Sequence, residues 1–475
     1  MAQKLFRSIF FLVLINLLVK PVWIFGIDLH VQNVVGAEDY GLYFIVFNFS
    51  FLFHVLLDMG IHQFTNREVA QDRRFLSEQF AKLFAIKGLL AIIYFAVSFA
   101  LAGILGFSFI QKKLLFFLVI NQMLLSLILF SRSNFTAMQW YAWDAFFSVF
   151  DRVLSILLCV LLLYTSSFGT FEIMDFVYAQ TIALTLGALF SLSVVAWKGE
   201  VIFPCLELKS LWPLIYKSLP YALVVLLMTI YTRIDAVMLE ALLDDSANLQ
   251  AGIYAAAYRI LDAVNMIPFL LASLLIPYFA KQLKQQADFQ DVLWHAVSLM
   301  ISLAIPFLLL IYFFHAELID LMYTEGNPSW YPSFQLLMFC FPFVFISYLF
   351  GGFLTAAGYL KQISVFAFIT IGLNIALNYF LIPDSGALGA AIATIASQAL
   401  MAIAQLSWVV RHWETDFSWK LLLKTLIYFG ILLIVILLLN TFSFTWLLKI
   451  AIFALVAILL SVALRLLNIK KLIHL

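Results

Sequence analysis

The chain has 475 residues, of which 65% are hydrophobic, 17% aromatic and only 11% charged, and its formal net charge is +1. No soluble core needs so much apolar surface, so the composition excludes a water-soluble globular protein and indicates a membrane protein. We expect no nucleic-acid partner.

Apolar runs of about 20 residues, the length that crosses about 30 Å of hydrocarbon as a helix, follow one another with short polar breaks. They predict an all-α polytopic membrane protein with about fourteen transmembrane helices. The predicted helices 1 to 14 cover residues 9–33, 40–62, 80–106, 113–135, 144–165, 174–197, 214–239, 251–280, 292–314, 331–357, 361–382, 386–410, 420–440 and 445–466.

Basic residues outside these helices are distributed unevenly. With a cytoplasmic N-terminus, the outer side holds only Lys112, Lys113 and Lys449, and the other basic residues outside the helices collect on the inner side. Because Lys and Arg favour short cytoplasmic loops, we expect both termini to be cytoplasmic. No cleavable signal is apparent, since Lys20 and Pro21 interrupt the first apolar run.

A weak internal repeat has an offset near 212 residues. Gly41 opens helix 2 within Gly-Leu-Tyr, and Gly252 opens helix 8 within Gly-Ile-Tyr. The repeat predicts two parallel six-helix lobes, residues 1–205 and 206–412, with helices 13 and 14 in 413–475. Parallel-repeat transporters place their substrate between the lobes and rock one lobe against the other, so we expect a central cavity and alternating access.

Five basic residues inside the predicted helices are candidates for a function: Lys20, Arg132, Arg152, Arg233 and Arg259. A Lys or Arg at the bilayer centre costs about 2.5 to 3.5 kcal/mol on insertion scales, so such residues are typically functional. Lys20 lies close to the midplane, and an anionic passenger is one explanation; pairing with an acid on a neighbouring helix is the other. Arg132 and Arg152 are weaker candidates, because from the inner halves of helices 4 and 5 they can reach the headgroups.

Acidic and titratable residues accompany these cations. His54 and Asp58 on helix 2 share one face at a four-residue spacing and are the best proton-coupling candidates, although a helix-packing hydrogen bond explains them nearly as well.

Two further acids lie close to arginines in the sequence. Arg259 and Asp262 share a face of helix 8, with Asn265 a turn further, and are either a phosphate-binding arginine with its partner acid or a self-satisfied structural pair. Asp235 follows Arg233 but points about 200° away from it.

Several motifs of other function classes are missing from the sequence. It contains no GxxxxGK[ST] phosphate loop, no HExxH, no nucleophile elbow and no paired metal motif, and the inner loops are short. We therefore expect no enzyme activity, no cofactor and no metal. A membrane glycosyltransferase or glycan ligase would need a large catalytic loop or domain. The energy for transport must therefore come from a gradient of H+ or Na+, or from the substrate's own concentration difference.

Three stretches carry a family resemblance: residues 35–43 followed by 57–60, residues 218–221 leading into 230–235, and residues 252–260. They resemble the signatures of bacterial Wzx-type oligosaccharide flippases, in the polysaccharide transporter family of the multidrug/oligosaccharidyl-lipid/polysaccharide exporter superfamily. The likeness covers most of the chain.

The resemblance implies a bacterial inner-membrane protein that moves an undecaprenyl-pyrophosphate-linked oligosaccharide to the periplasmic leaflet, alongside glycosyltransferases and a polysaccharide polymerase. In the related lipid II flippases, arginines on helices 1, 2 and 8 line the cavity. Lys20 and Arg259 match two of these roles, whereas helix 2 offers His54. We therefore expect Lys20, Arg233 and Arg259 to bind the pyrophosphate, with membrane lipid around the tail. An ion-coupled multidrug exporter of the same superfamily is the alternative.

Overall fold

The computed structural model describes residues 15, 16, 18–62, 65, 69, 74–165, 170–199, 212–286, 288–415 and 419–467. These residues form helices and no strand. Eleven of their helices are long and apolar enough to cross a membrane. The predicted all-α polytopic fold is therefore confirmed.

By compactness the chain divides into two units, Met1–Gly252 and Ile253–Leu475. The helices of the first unit are α1 (Val22–Asp28, π-helical), α2 (Leu29–Val35), α3 (Ala37–Leu52), α4 (His54–Leu57, one 3-10 turn), α5 (Arg74–Ile104), α6 (Phe109–Ala137), α7 (Tyr141–Phe147), α8 (Phe150–Tyr164), α9 (Ile173–Lys198) and α10 (Trp212–Leu242). The predicted lobe boundary at 205/206 stays a prediction.

The second unit begins inside a helix. Its helices are α11 (Ala247–Val264, whose first residues belong to the first unit), α12 (Met266–Lys284), α13 (Gln290–Met322), α14 (Tyr331–Met338), α15 (Phe341–Ala356), α16 (Leu360–Ser385), α17 (Ala387–His412), α18 (Trp419–Thr441) and α19 (Trp446–Ala463).

Two of the predicted helices are interrupted near equivalent positions of the repeat. Predicted helix 2 leaves the α-helix after Leu52, with Phe53 as its C-cap, and predicted helix 8 changes from α11 to α12 at Asn265. The positions Phe53 and Asn265 are 212 residues apart, the offset of the repeat. Both breaks were missed by hydropathy, because an apolar run looks the same whether or not its helix is continuous.

Two glycines allow α3 and the first turns of α11 to touch through their backbones. A Cβ on Gly41 would collide with the carbonyl oxygen of Asn248, and a Cβ on Gly252 would collide with that of Ala37. The side chain of Gln32 also donates a hydrogen bond to the Gly252 carbonyl at 3.1 Å. Small residues at such crossings let membrane helices approach closely, and these two glycines are the ones that mark the predicted repeat.

The C-terminal pair α18 and α19 packs on α13 within the second unit. Tyr428 is fully buried in this interface, and its hydroxyl donates to the carbonyl oxygens of Ser302 at 3.1 Å and Ala457 at 3.2 Å. In the most apolar stretch of α18, and likewise of α19, only 17% is buried, so most of their apolar side chains point outward. An apolar exterior of this kind suits lipid rather than water.

Candidate functional site

Three of the predicted cations come together in the first unit. Lys20 precedes α1, Arg132 lies near the end of α6 and Arg152 near the start of α8. The charges of Arg152 and Arg132 both act on Lys20, which is partly buried and makes no hydrogen bond or ion pair with the part of the chain that the structure describes. We call Lys20, Arg132 and Arg152 the cation cluster. Like charges so close repel one another, and an anion between them would relieve that repulsion.

Two carboxylates and one ring hold the arginines of the cation cluster in place. The Nε atom of Arg132 donates to Asp144 Oδ1 at 2.7 Å, and Asp144 is buried. The Nε of Arg152 lies 3.7 Å from Asp151 Oδ2, and its guanidinium stacks over Trp23 with 5.5 Å to the ring centroid. Each arginine engages its carboxylate through Nε. The acids neutralise part of the charge and leave one net positive charge.

The reach of Arg132 and Arg152 to the headgroups, which makes them the weaker candidates, stays a prediction. The structure adds that the charges of both arginines act on Lys20. Hydropathy and spacing cannot show that these charges act on one another, since residues 20, 132 and 152 lie on three separate predicted helices.

Arg233 lies elsewhere in the same unit. It projects from α10 onto α3, where its NH1 is 3.5 Å from the side-chain oxygen of Asn48 and its guanidinium lies 5.3 Å from the centroid of the Phe51 ring. Asp235, two residues further along α10, is buried. The described contacts place Arg233 on an aromatic and amide surface rather than in the cation cluster.

The predicted shared helical face of His54 and Asp58 is wrong, and their role in proton coupling stays a prediction. The two residues do not share an α-helical face, because α3 ends at Leu52 and His54 opens a 3-10 turn. The His54 ring instead stacks on Phe51 at 5.3 Å, and its buried Nε2 has no hydrogen-bond partner among the described residues.

Asp58 pairs instead with His62 and with Lys87 on α5, both 3.0 Å from its Oδ1. Lys87 is buried and also donates to Ser126 of α6 at 2.8 Å. The sequence reasoning missed Lys87 and His62. Lys87 lies inside the predicted helix 80–106 and could have been recognised as a sixth intramembrane cation.

Arg259 lies in the second unit, on α11. It is 6% exposed, and its NH1 donates to the Tyr323 hydroxyl at 3.3 Å, which in turn donates to the carbonyl of Ala256 at 2.8 Å. Asp262 follows less than one turn later and is only partly buried. Asn265 caps α12 at the break, and its buried side-chain oxygen has no partner in the described part of the chain.

Comparison with known proteins gives the family. The family profile described as "Polysaccharide biosynthesis protein" matches residues 5–283, and the MatE profile matches residues 220–380. No curated protein matches the sequence.

Three solved structures are similar to this chain in fold. The lipid II flippase MurJ in an inward closed conformation has a TM-score of 0.72 at 18% identity and covers 98% of this chain and 99% of its own. An inward-facing multidrug resistance MATE transporter of the MOP superfamily gives 0.61 at 15% identity, over 83% of this chain and 94% of its own. The MATE transporter VcmN of Vibrio cholerae gives 0.56 at 13% identity, over 87% and 97%.

The expected superfamily is thus confirmed, since the profile matches and the fold agree. The Wzx class within it is a finer prediction that these matches leave open. With more than half of its residues matched by one profile, the chain belongs to the polysaccharide biosynthesis protein family.

Proposed function

We propose that this protein moves an undecaprenyl-pyrophosphate-linked oligosaccharide from the cytoplasmic to the periplasmic leaflet of the bacterial inner membrane, for surface polysaccharide assembly. The observation that carries the proposal is the cation cluster, in which Lys20 lacks a partner among the described residues beside Arg132 and Arg152. A net positive cluster inside an apolar helical unit is suited to an anion that must leave water.

The chemistry of the lipid head group fits this cluster. Moving an unpaired phosphate into hydrocarbon is very costly, whereas charge-assisted hydrogen bonds from Lys and Arg replace much of the solvation it loses. Each guanidinium group offers several N–H donors in a fixed plane, and the Lys20 ammonium adds donors that can rotate. The prenyl tail needs no such replacement and can stay in lipid.

The proposal also uses the predicted topology. With both termini cytoplasmic, Arg132 and Arg152 lie in the inner halves of their helices, so the cation cluster faces the leaflet where lipid-linked sugars are made. We propose that Arg233 and Arg259 contact the pyrophosphate later, during alternating access of the two lobes. Glycosyltransferases supply the substrate and a polymerase consumes it.

The direct test uses purified protein in lipid vesicles that contain a labelled undecaprenyl-pyrophosphate oligosaccharide. Translocation is followed by the fraction of glycan that a membrane-impermeant glycosidase reaches, with and without an H+ or Na+ gradient. We expect protein-dependent translocation, and little for a lipid-linked sugar that lacks the pyrophosphate. Equal translocation of both lipids would contradict an anion-binding role for the cation cluster.

The second candidate is an ion-coupled multidrug exporter, favoured by the MatE profile match to residues 220–380. Such an exporter needs exposed carboxylates to bind cationic drugs, whereas Asp144 and Asp151 beside the cation cluster are already engaged by arginine. Efflux of a fluorescent cationic dye from the same vesicles distinguishes the two functions, and we expect none.

A further inference from the structure

The chain leaves the helical path between α4 and His62. Met59 and Gly60 have positive φ angles of 46° and 82°, and the Ile61 N–H donates to the Asp58 carbonyl at 2.8 Å. In a continuous α-helix that N–H would bond the carbonyl of Leu57. The break therefore releases one backbone acceptor inside an apolar unit, where an unsatisfied carbonyl is costly.

Lys87 satisfies the released acceptor. Its Nζ donates to the Leu57 carbonyl at 2.9 Å, to Asp58 Oδ1 at 3.0 Å and to the Ser126 hydroxyl at 2.8 Å. These three bonds use all three hydrogens of an ammonium group. The Nε2 atom of His62 is a fourth neighbour, 3.3 Å from the same nitrogen, and no hydrogen remains for it.

His62 is held so that one ring nitrogen is committed and the other is not. Nδ1 lies 3.0 Å from Asp58 Oδ1, which fixes the proton of the neutral ring on Nδ1. Nε2 lies between the Lys87 ammonium and the Ser126 carbonyl oxygen, which is 3.4 Å away. A proton added to Nε2 would find an acceptor in that carbonyl and a repelling charge in Lys87.

Among the residues that the structure describes, no second carboxylate acts on His62 to absorb an added charge. The charged groups that act on His62 are Lys87 and Asp58, and α6 contributes only the hydroxyl and carbonyl of Ser126. The charge of His54 on α4 also couples to His62, and its ring stacks on Phe51, which the Arg233 guanidinium of α10 approaches at 5.3 Å. Two cations would therefore share Asp58 when His62 is protonated.

We propose that His62 is a proton-binding site that controls the break. One proton from water forms a bond to Nε2, the imidazolium takes over Asp58 Oδ1 and the Ser126 carbonyl, and its charge displaces Lys87 from the Leu57 carbonyl. Loss of that bond frees the segment from Phe53 to Ile61 to move. The proton thus acts as a ligand whose binding changes the path of the chain between α3 and α5.

The experiment needs no transport substrate, so its outcome is independent of the proposed function. Full-length protein in lipid nanodiscs is followed by hydrogen–deuterium exchange of the amides in residues 53–61, corrected for the intrinsic effect of pH. We expect protection to fall about tenfold between about pH 8 and about pH 5.5. H62Q should remove this transition, and K87M should leave the segment unprotected at every pH.

H295Q is the matched control, because His295 lies on α13 in the second unit and bonds only within its own helix turn; it should keep the transition. An unchanged transition in H62Q, or none in the wild type, would overturn the proposal. If H62Q does not fold, the side-chain 15N spectrum of histidine-labelled wild type decides: no imidazole that titrates together with the exchange transition would overturn it equally.

Discussion

Gly41 and Gly252 lie on the two sides of one helix crossing, each with its Cα against a backbone carbonyl of the opposite helix. They are 211 residues apart and mark the predicted repeat. Both glycines therefore allow the same close approach of two backbones.

This crossing predicts that even a methyl group is too large there. G41A and G252A should each lower stability by about 1 to 3 kcal/mol, because the added Cβ meets backbone that cannot rotate away. Thermal unfolding in detergent measures the change. G372A is the control, since a Cβ on Gly372 in α16 meets nothing within 4 Å; it should be neutral or slightly stabilising. Equal behaviour of the three variants would contradict the close approach.

The cation cluster predicts a loss of transport, and for K20A a loss without destabilisation, because Lys20 has no partner among the described residues. K20A, R132A and R152A should each reduce translocation in the vesicle assay by about tenfold or more, the effect of losing one charged hydrogen bond of about 1.5 to 3 kcal/mol. K20R should retain most activity. K198A is the control, because Lys198 lies over Trp140 and Trp143 outside the cluster. Wild-type transport by all three alanine variants would show that the cation cluster does not bind the substrate.

The Lys87–Asp58 pair predicts strong energetic coupling. K87M and D58N should each destabilise the protein by about 3 to 5 kcal/mol, because each leaves a buried partner uncompensated. The double variant should cost clearly less than the sum of the two, which chemical unfolding of the four proteins measures as a double-mutant cycle. Simple additivity would show that the two side chains do not share one interaction.

The Tyr323 hydroxyl predicts an effect on the second unit. Y323F removes the bonds to Arg259 and to the Ala256 carbonyl and should lower stability by about 1 to 2 kcal/mol. Thermal unfolding tests this against Y312F, whose ring is 57% exposed. A Y323F shift no larger than that of Y312F would show that neither bond contributes.

The attachment of α18 and α19 gives a further prediction. Y428F loses a hydroxyl that serves the carbonyls of Ser302 and Ala457, and should destabilise by about 1 kcal/mol. Y379F, at a 60% exposed position, is the control. Limited proteolysis after heating should release the C-terminal pair earlier in Y428F. If the C-terminal pair is released at the same temperature in both proteins, contacts other than the Tyr428 hydroxyl hold α18 and α19 on α13.

Hydropathy alone predicted the helical membrane fold, because crossing hydrocarbon imposes a length and a composition that are visible in the sequence. It did not predict where helices break. Predicted helix 2 was treated as continuous, which put His54 and Asp58 on one face, and the 3-10 turn at His54 moved them apart. A helix that is apolar on all sides has no polar stripe from which its register can be read.

The residues of the candidate site were only partly predictable. Lys20 could be recognised by its depth, since a lysine so far from either end of an apolar run stands out. The convergence of Arg132 and Arg152 on it depends on how three helices pack. Lys87 was missed although it lies well inside a predicted helix, and its importance follows from a backbone carbonyl that only the break at Met59 and Gly60 exposes.

The lipid-facing side chains of α18 and α19 have few packing neighbours. Hydrocarbon solvates a leucine, an isoleucine or a phenylalanine about equally well. These residues can therefore replace one another as long as the surface stays apolar. We therefore expect most substitutions on these lipid-facing surfaces to be tolerated, whereas substitutions at the Gly41–Gly252 crossing or at interior polar groups are costly. The same physical freedom lets two chains with 18% identity, such as this chain and MurJ, share one fold.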